Sequence, residues 1–275
     1  MKRKVTKDHM VIYTLLILGS TVMLLPFIWS ILTSFKTLTE SVAVPPKIIP
    51  EHFDFFNYVN VWGKLPFAKF FLNTFIMVGV RVISATLFSA MAGYAFARLD
   101  FPGKNLLFIL VLVPMMVPGQ IFILPQYLFI SKIGWANTVK ALVVPGIVST
   151  FGTFLLRQFF MGIPDELEEA AILDGCNTGQ IFLKIMLPLS KSGMVSLAIF
   201  TALFAWKDLM WPLIVNISPE KMPLSSGLAL LQGQFVTNYP ELMAGSVIAI
   251  IPMLILFIVF QKQFVEGIAT TGSKN

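Results

Sequence analysis

The chain has 275 residues, of which 56% are hydrophobic and 12% are charged, and its mean hydropathy is +0.82. These values exclude a soluble globular protein, in which about 25% of the residues are charged. The net charge of +6 does not indicate nucleic-acid binding, because the Lys and Arg residues are scattered between apolar runs and form no basic patch. The composition predicts an all-α polytopic membrane protein, and the basic excess is interpreted as a membrane-orientation signal.

Six apolar segments are long enough to span a membrane. The first, residues 10–34, follows a basic N-terminus (residues 1–9) and is far longer than the core of a signal peptide. The other spans are predicted at residues 69–98, 105–130, 138–160, 190–215 and 242–260. Residues 10–260 are therefore predicted to be a single membrane domain, followed by a polar tail at 261–275. Six spans place both termini on one side, and the basic N-terminus predicts that this side is cytoplasmic.

The predicted spans differ in their continuity. The third contains Pro114, Pro118 and Pro125, and proline frees backbone groups that are tolerated only beside neighbouring helices or a water-filled cavity. Residues 35–68 and 216–241 are predicted to be outer loops, and the first of them is rich in proline and in aromatic residues that suit a membrane interface.

Residues 163–188 form the most polar stretch in the second half of the chain and have the pattern of two short helices. Pro164 suits the first helical position, and acidic residues follow it where a helix N-terminus favours negative charge. Gly175 fits a left-handed stop after the first helix. Asn177, with Gln180 three residues later, predicts a capping box at the start of the second helix.

The first of these helices combines acidic residues with two small side chains, Ala170 and Ala171. Small side chains would let the surface of another protein approach closely. The alternative is an amphipathic helix lying on the membrane surface, but such helices are usually basic. The stretch is therefore predicted to be a docking element.

The docking stretch resembles the EAA loop of ABC-importer permeases. The match covers Glu169-Ala170-Ala171, Gly175, Ile185 and Leu187-Pro188. Other stretches resemble the sugar-importer permeases of the maltose type, and more closely their second, six-span subunit: residues 94–98 (YAFAR), 101–104 (FPGK), 154–160 (FLLRQFF) and 206–212 (WKDLMWP). The resemblance covers essentially the whole chain, with a departure at Lys207, where relatives often carry Asn.

The resemblance implies a type I ABC-importer permease fold in the cytoplasmic membrane, with the EAA loop as a cytoplasmic coupling helix. The implied ATPase-coupling residues are Glu168, Glu169, Ala170, Ala171, Asp174, Gly175, Ile185, Leu187 and Pro188. The implied partners are a second permease in a heterodimer, two ATPase subunits that bind ATP and Mg, and an extracytoplasmic solute-binding protein that delivers carbohydrate. The tail at 264–272 resembles a family segment that reaches toward the ATPase interface, and a disordered end is the open alternative.

Catalytic and cofactor motifs are absent from the sequence. No glycine-rich phosphate-binding pattern occurs, so ATP is not predicted to bind this chain. The two histidines, His9 and His52, fall on opposite sides of the membrane in the predicted topology and cannot share a metal. The lone cysteine, Cys176, precludes an internal disulfide. The chain is therefore predicted to be a transporter subunit rather than an enzyme, with no cofactor or metal of its own.

Polar residues within the spans are the candidates for the substrate pathway, because such groups are costly in lipid unless they face a cavity. These candidates are Asn73, Arg81, Gln120, Ser149, Thr150, Thr153, Trp206 and Asp208. A purely structural role in interhelical hydrogen bonding stays open for each of them. Arg81 lies deep in the second span, so it is predicted to face either a counter-charge on the partner permease or an acidic sugar.

Two other functions remain open at this point. One is an ABC permease for a different solute, such as a peptide, an amino acid or a polyol phosphate. The other is a secondary transporter or channel that works without ATP, which would require internal repeats and paired acidic groups within the membrane. Neither feature is seen, because nearly all Asp and Glu residues fall in predicted loops.

Overall fold

The computed structural model describes residues 7–233 and 236–272, with side chains for residues 10–233 and 236–262. All regular secondary structure in these ranges is helical, as predicted. The α-helices are α1 (Lys7–Ser34), α2 (Leu38–Ser41), α3 (Phe56–Lys64), α4 (Phe67–Arg98), α5 (Lys104–Leu112), α6 (Ile123–Lys132), α7 (Val139–Val143), α8 (Thr150–Met161), α9 (Glu166–Leu173), α10 (Thr178–Ile181), α11 (Leu187–Leu189), α12 (Lys191–Trp206), α13 (Met210–Val215), α14 (Leu224–Ala229) and α15 (Tyr239–Gly272).

Four helical segments in the described chain are long and apolar enough to cross a membrane without a sharp bend. They are Met10–Ser34, Phe67–Arg98, Val139–Met161 and Tyr239–Lys262. Two further segments are bent pairs: Lys104–Met116 with Gly119–Lys132, at 100°, and Thr178–Leu189 with Lys191–Trp206, at 73°. Six spans result if each bent pair counts as one.

The third span is interrupted, as its prolines predict, whereas the fifth is not the single helix that the sequence predicts at 190–215. The third bends at Val117, which is extended (φ −111°, ψ 131°) because the proline that follows disfavours a helical conformation at this residue. The fifth helix ends at Trp206, and a separate helix starts at Met210. Pro212 lies in the first turn of that helix, where its missing N–H is tolerated.

The sequence predicts a boundary at residue 261 between the last span and a polar tail. Helix α15 continues without a break to Gly272. The tail therefore extends the last span as a helix. The division of the chain into N-terminus, membrane domain and tail stays a prediction.

The chain divides into two compact units, of which the first comprises Met1–Leu65 and Leu228–Ile251. Part of the predicted outer loop is ordered in this unit around Lys36, whose side chain is buried. Its ammonium group lies 4.3 Å from the ring centre of Trp29 and donates to the carbonyl oxygen of Lys47 at 2.5 Å. Burial lowers the pKa of Lys36 below its ordinary value.

The second unit comprises Pro66–Gly227 and Pro252–Asn275, and α4 is its central helix. Helices α8 and α12 pack along α4, and small residues let them approach closely. A Cβ atom on Gly93 would lie 2.9 Å from the backbone nitrogen of Arg157, and one on Gly152 would lie 2.4 Å from the hydroxyl of Ser89. This unit contains both the docking stretch and the polar candidates of the spans.

Candidate functional site: a docking loop and a polar cavity

The docking stretch, called the coupling loop from here on (residues 163–188), begins with α9. The carbonyl of Asp165 accepts from the backbone amides of Glu168 and Glu169, so the helix starts directly after Asp165. Pro164 therefore precedes the helix, and its predicted place in the first helical turn is wrong. The acidic residues Glu166, Glu168 and Glu169 do occupy the first turn, as predicted.

The end of α9 and the start of α10 follow the predicted chemistry. Gly175 has φ +82°, the left-handed conformation, and no atom lies within 4 Å of a Cβ built on it. The amide of Cys176 returns to the carbonyl of Ala171 at 2.9 Å. Asn177 and Gln180 form the capping box, with both bonds at 2.9 Å. These local bonds give the loop a defined shape without any partner.

The inner face of the coupling loop is part of the protein core. Ala171 is only 5% exposed and belongs to one cluster with Phe160 and Met186. The prediction that both alanines present an open surface to a partner is therefore wrong for Ala171. Ile185 and Leu187 are half-buried and pack against the same cluster.

Charged and polar groups at the end of α4 hold this inner face in place. The hydroxyl of Tyr94 lies 3.0 Å from a carboxylate oxygen of Glu168, and Nε of Arg98 lies 3.8 Å from the other oxygen. Arg98 also pairs with Asp165 and donates to the carbonyl of Phe160 at 2.7 Å. The sequence prediction did not include Tyr94 or Arg98 in the site, although both fall in the YAFAR stretch.

The outer face of the coupling loop is exposed. Its residues include Glu166, Glu169, Ala170, Leu173, Asp174, Gly175 and Pro188. Leu173 is an apolar side chain that is 87% exposed at the end of an acidic helix. An exposed leucine and a small alanine on an acidic surface are typical of a surface that contacts another protein.

A cavity of about 830 Å³ lies elsewhere in the same unit. Its polar lining includes Arg81, Gln120, Ser149, Lys207 and Asp208, and its apolar walls include Phe151, Phe200 and Phe204. Four of these polar residues were predicted pathway candidates. Lys207 was not, although the family resemblance had noted a departure at this position.

Arg81 is 7% exposed and is neutralised within the chain. Its guanidinium donates to Oδ2 of Asp208 at 2.9 Å and, through Nε, to the carbonyl of Leu142 at 3.0 Å. Neither partner that the sequence left open, a counter-charge on the partner permease or an acidic sugar, is needed to neutralise Arg81. The counter-charge is Asp208 of the same chain.

The break between α12 and α13 supplies Lys207 and Asp208 to the cavity. The carbonyl of Asp208 accepts from the hydroxyl of Ser225 at 2.5 Å. Non-helical backbone within a membrane span is tolerated where it is buried in protein or lines a water-filled cavity. The break therefore places two ionisable side chains at the wall of the cavity.

The remaining pathway candidates do not line this cavity. Asn73 is 5% exposed and donates at 2.9 Å to the carbonyls of Glu220 and Met222. The hydroxyl of Thr153 donates to the carbonyl of Ser149 at 3.1 Å. The ring of Trp206 packs edge-on against Phe75 at 5.7 Å, and Thr150 is the first residue of α8. These contacts favour structural roles for Asn73, Thr153 and Trp206.

Among the side chains that the structure describes, no three His, Cys, Asp or Glu residues come together in a way that could hold a metal ion.

Bent helical spans, a polar cavity and an ordered polar loop are the features expected of a membrane-transport permease. The chain belongs to the family described as binding-protein-dependent transport system inner membrane component, whose model matches residues 85–265. It is 38% identical to the arabinooligosaccharides transport system permease protein AraQ of Halalkalibacterium halodurans over 90% of each chain. It is 31% identical to the diacetylchitobiose uptake system permease protein NgcG of Streptomyces coelicolor, over 94% of this chain and 86% of that one.

A solved structure shares the fold. It is a bacterial ABC transporter involved in the import of the acidic polysaccharide alginate. The TM-score is 0.80, with 23% sequence identity over 96% of this chain and 99% of that chain. The predicted permease fold is thereby confirmed.

Proposed function

We propose that the chain is a permease subunit of an ATP-driven, binding-protein-dependent importer that carries a sugar or oligosaccharide across the cytoplasmic membrane. The observation that carries this proposal is the similarity, over 90% of each chain, to a permease of an arabinooligosaccharide transport system. A cavity with amide, hydroxyl and aromatic groups supports it, because polyols are bound by such groups.

Energy comes from partner subunits, because the sequence has no phosphate-binding loop of its own. Two ATPase subunits bind ATP and Mg, and one of them docks on the outer face of the coupling loop. Because Glu168 and Ala171 tie the inner face to α4 and α8, movement of the docked ATPase moves these helices with the loop. Rigid-body rotation of this kind switches the side to which a central cavity opens.

The other partners follow from the family. A second permease forms the other half of the pathway, and an extracytoplasmic binding protein delivers the solute. Both termini lie in the cytoplasm, as does the coupling loop. The helical extension of α15 to Gly272 gives the tail the reach to approach the ATPase.

Reconstitution tests this function. The permease is co-expressed with the second permease, ATPase and binding protein of its own operon, purified, and placed in lipid vesicles. ATP-dependent uptake is then measured with a panel of labelled sugars, oligosaccharides, amino acids and peptides. We expect uptake of at least one carbohydrate that requires both ATP and the binding protein. Uptake of amino acids or peptides only, or uptake without ATP, would contradict the proposal.

A further inference from the structure

The cavity contains an excess positive charge. Its ionisable lining residues are Arg81, Lys207 and Asp208. Arg81 and Asp208 neutralise each other at 2.9 Å. Among the ion pairs of the described residues, none includes Lys207. The cavity wall therefore carries a net charge of one cation, which is the ammonium group of Lys207.

The charge of Lys207 is only partly screened by its surroundings. The ammonium lies 4.7 Å from the ring centre of Phe204, which also lines the cavity, so part of its surroundings is an aromatic face rather than water. Lys207 follows the C-terminus of α12, whose partial negative charge of about half a unit offsets only part of the cation. Low-dielectric walls focus the remaining field into the cavity.

The rest of the lining suits a sugar ring. Phe151 and Phe200 form an edge-to-face pair at 6.1 Å on the cavity wall. The amide of Gln120 and the hydroxyl of Ser149 provide hydrogen-bonding groups in the same cavity. Aromatic faces, an amide, a hydroxyl and one uncompensated cation together match a saccharide that carries an anionic group.

We propose that Lys207 makes this cavity selective for anionic saccharides, which carry a carboxylate or a phosphate ester. This proposal rests on the proposed function as a carbohydrate permease and adds the chemical class of the solute. Arg81 has a positioning role here, because its ion pair with Asp208 occupies the carboxylate that could otherwise compensate Lys207.

The electrostatic potential of the cavity is measured with a cysteine probe. In the assembled complex, Cys176→Ser removes the native thiol and Gln120→Cys places a new one on the cavity wall. The rates of modification by an anionic (ethylsulfonate) and a cationic (ethyltrimethylammonium) methanethiosulfonate reagent are then compared. The ratio of the two rates is divided by the same ratio measured with a free thiol in solution. The result reports the electrostatic potential at the cysteine.

We expect the anionic reagent to modify the cysteine faster than the cationic one after this correction. Lys207→Asn should lower the anion-to-cation rate ratio by on the order of tenfold, because it removes a unit charge close to the probe. Lys207→Arg keeps the ratio. Lys140→Asn is the matched control, because the Lys140 ammonium also lies over an aromatic ring, that of Trp135 at 5.8 Å, but lines a different cavity. A ratio that Lys207→Asn leaves unchanged overturns the proposal.

Protection of the same cysteine identifies the anionic group. Galacturonate, glucose 6-phosphate and glucose are added at equal concentration before the reagents. We expect one of the two anions to slow modification more than glucose does, and Lys207→Asn to abolish this difference; the anion that protects names the group. Equal protection by glucose, protection that survives Lys207→Asn, or no protection by either anion overturns the proposal. Modification needs no ATP, so this result is separate from a failure of ATP-driven uptake, which would instead refute the proposed function.

Discussion

The coupling loop and the break between α12 and α13 are both interruptions of helical structure, but they are held in place differently. The coupling loop makes its own turns and caps within about 25 residues, and only its inner face depends on α4. The break depends on distant groups, since Asp208 is paired with Arg81 on α4. Local chemistry shapes the first region, and tertiary contacts shape the second.

This difference indicates what each region can tolerate. A region with local structure and an exposed outer face can accept changes on that face without unfolding. A region built on a partly buried ion pair loses stability when one partner is removed. Substitutions at the two regions should therefore separate folding from function.

Arg81→Gln is expected to have the largest effect on stability, because it leaves Asp208 without its counter-charge. Removal of one partner of a fully buried pair costs about 3 kcal/mol or more, and since the side chain of Asp208 is 24% exposed we expect about 2–3 kcal/mol here. The thermal unfolding midpoint of the purified complex should fall clearly. The double variant Arg81→Gln with Asp208→Asn should recover part of the loss, because no charge is then left unpaired. Equal unfolding midpoints for Arg81→Gln and the unaltered protein would show that the ion pair does not stabilise the fold.

Ala171→Trp and Ala170→Trp are expected to differ sharply, although the residues are neighbours. Ala171 is buried in the core, so a large side chain there should cost about 1–3 kcal/mol through overpacking. Ala170 is exposed, and the same change should leave the unfolding midpoint within error. Similar loss of stability in both variants would mean that the loop does not have distinct inner and outer faces.

Gly175→Val is expected to destabilise the coupling loop by about 1–2 kcal/mol, because a β-branched residue is strained in the left-handed backbone conformation of this position. No neighbouring atom would clash with the new side chain at its Cβ, so this strain is the whole expected cost. Gly175→Asn should cost less, since Asn tolerates this conformation. Proteolysis of the loop in vesicles measures the difference. Gly179→Ala is the control, because Gly179 lies inside α10 without a positive φ. Equal cleavage rates for Gly175→Val and Gly175→Asn would show that the left-handed turn does not stabilise the loop.

Asn177→Ala is expected to have the smallest effect, a loss of about 1 kcal/mol from the removed helix cap. Asn177→Asp should retain the cap and serve as the matched control. Hydrogen exchange of the amides in α10 provides the measurement. Faster exchange in the Ala variant alone is the predicted result, and unchanged exchange would mean that the capping box does not hold α10.

The contrast between the two regions also explains what was predictable. The helix pair of the coupling loop, its left-handed glycine and its capping box follow from residues within four positions of each other, so sequence patterns predict them. The burial of Ala171 was missed, because it depends on the packing of α4 and α8. The sequence alone does not distinguish the exposed Ala170 from the buried Ala171, because the two neighbours are the same residue type.

The cavity could be predicted only in part. The cost of an arginine in a span correctly required a counter-charge for Arg81. Its identity, Asp208, is 127 positions away and follows from how α4 meets the break. The buried amide of Asn73 shows the reverse case, because a polar group in a span proved to bond backbone carbonyls rather than line the cavity.

The most direct test of the central claim is ATP-driven uptake by the reconstituted complex that carries Ala170→Trp. If the outer face of the coupling loop receives the ATPase, this variant should fold and insert normally, yet lose at least about 90% of uptake, because a bulky side chain blocks close approach at a site worth several kcal/mol of contact. Glu166→Gln, on the same helix, is the control for a mild change of the outer face. Unaltered uptake by the Ala170→Trp complex, with ATP hydrolysis still coupled to transport, would contradict the account.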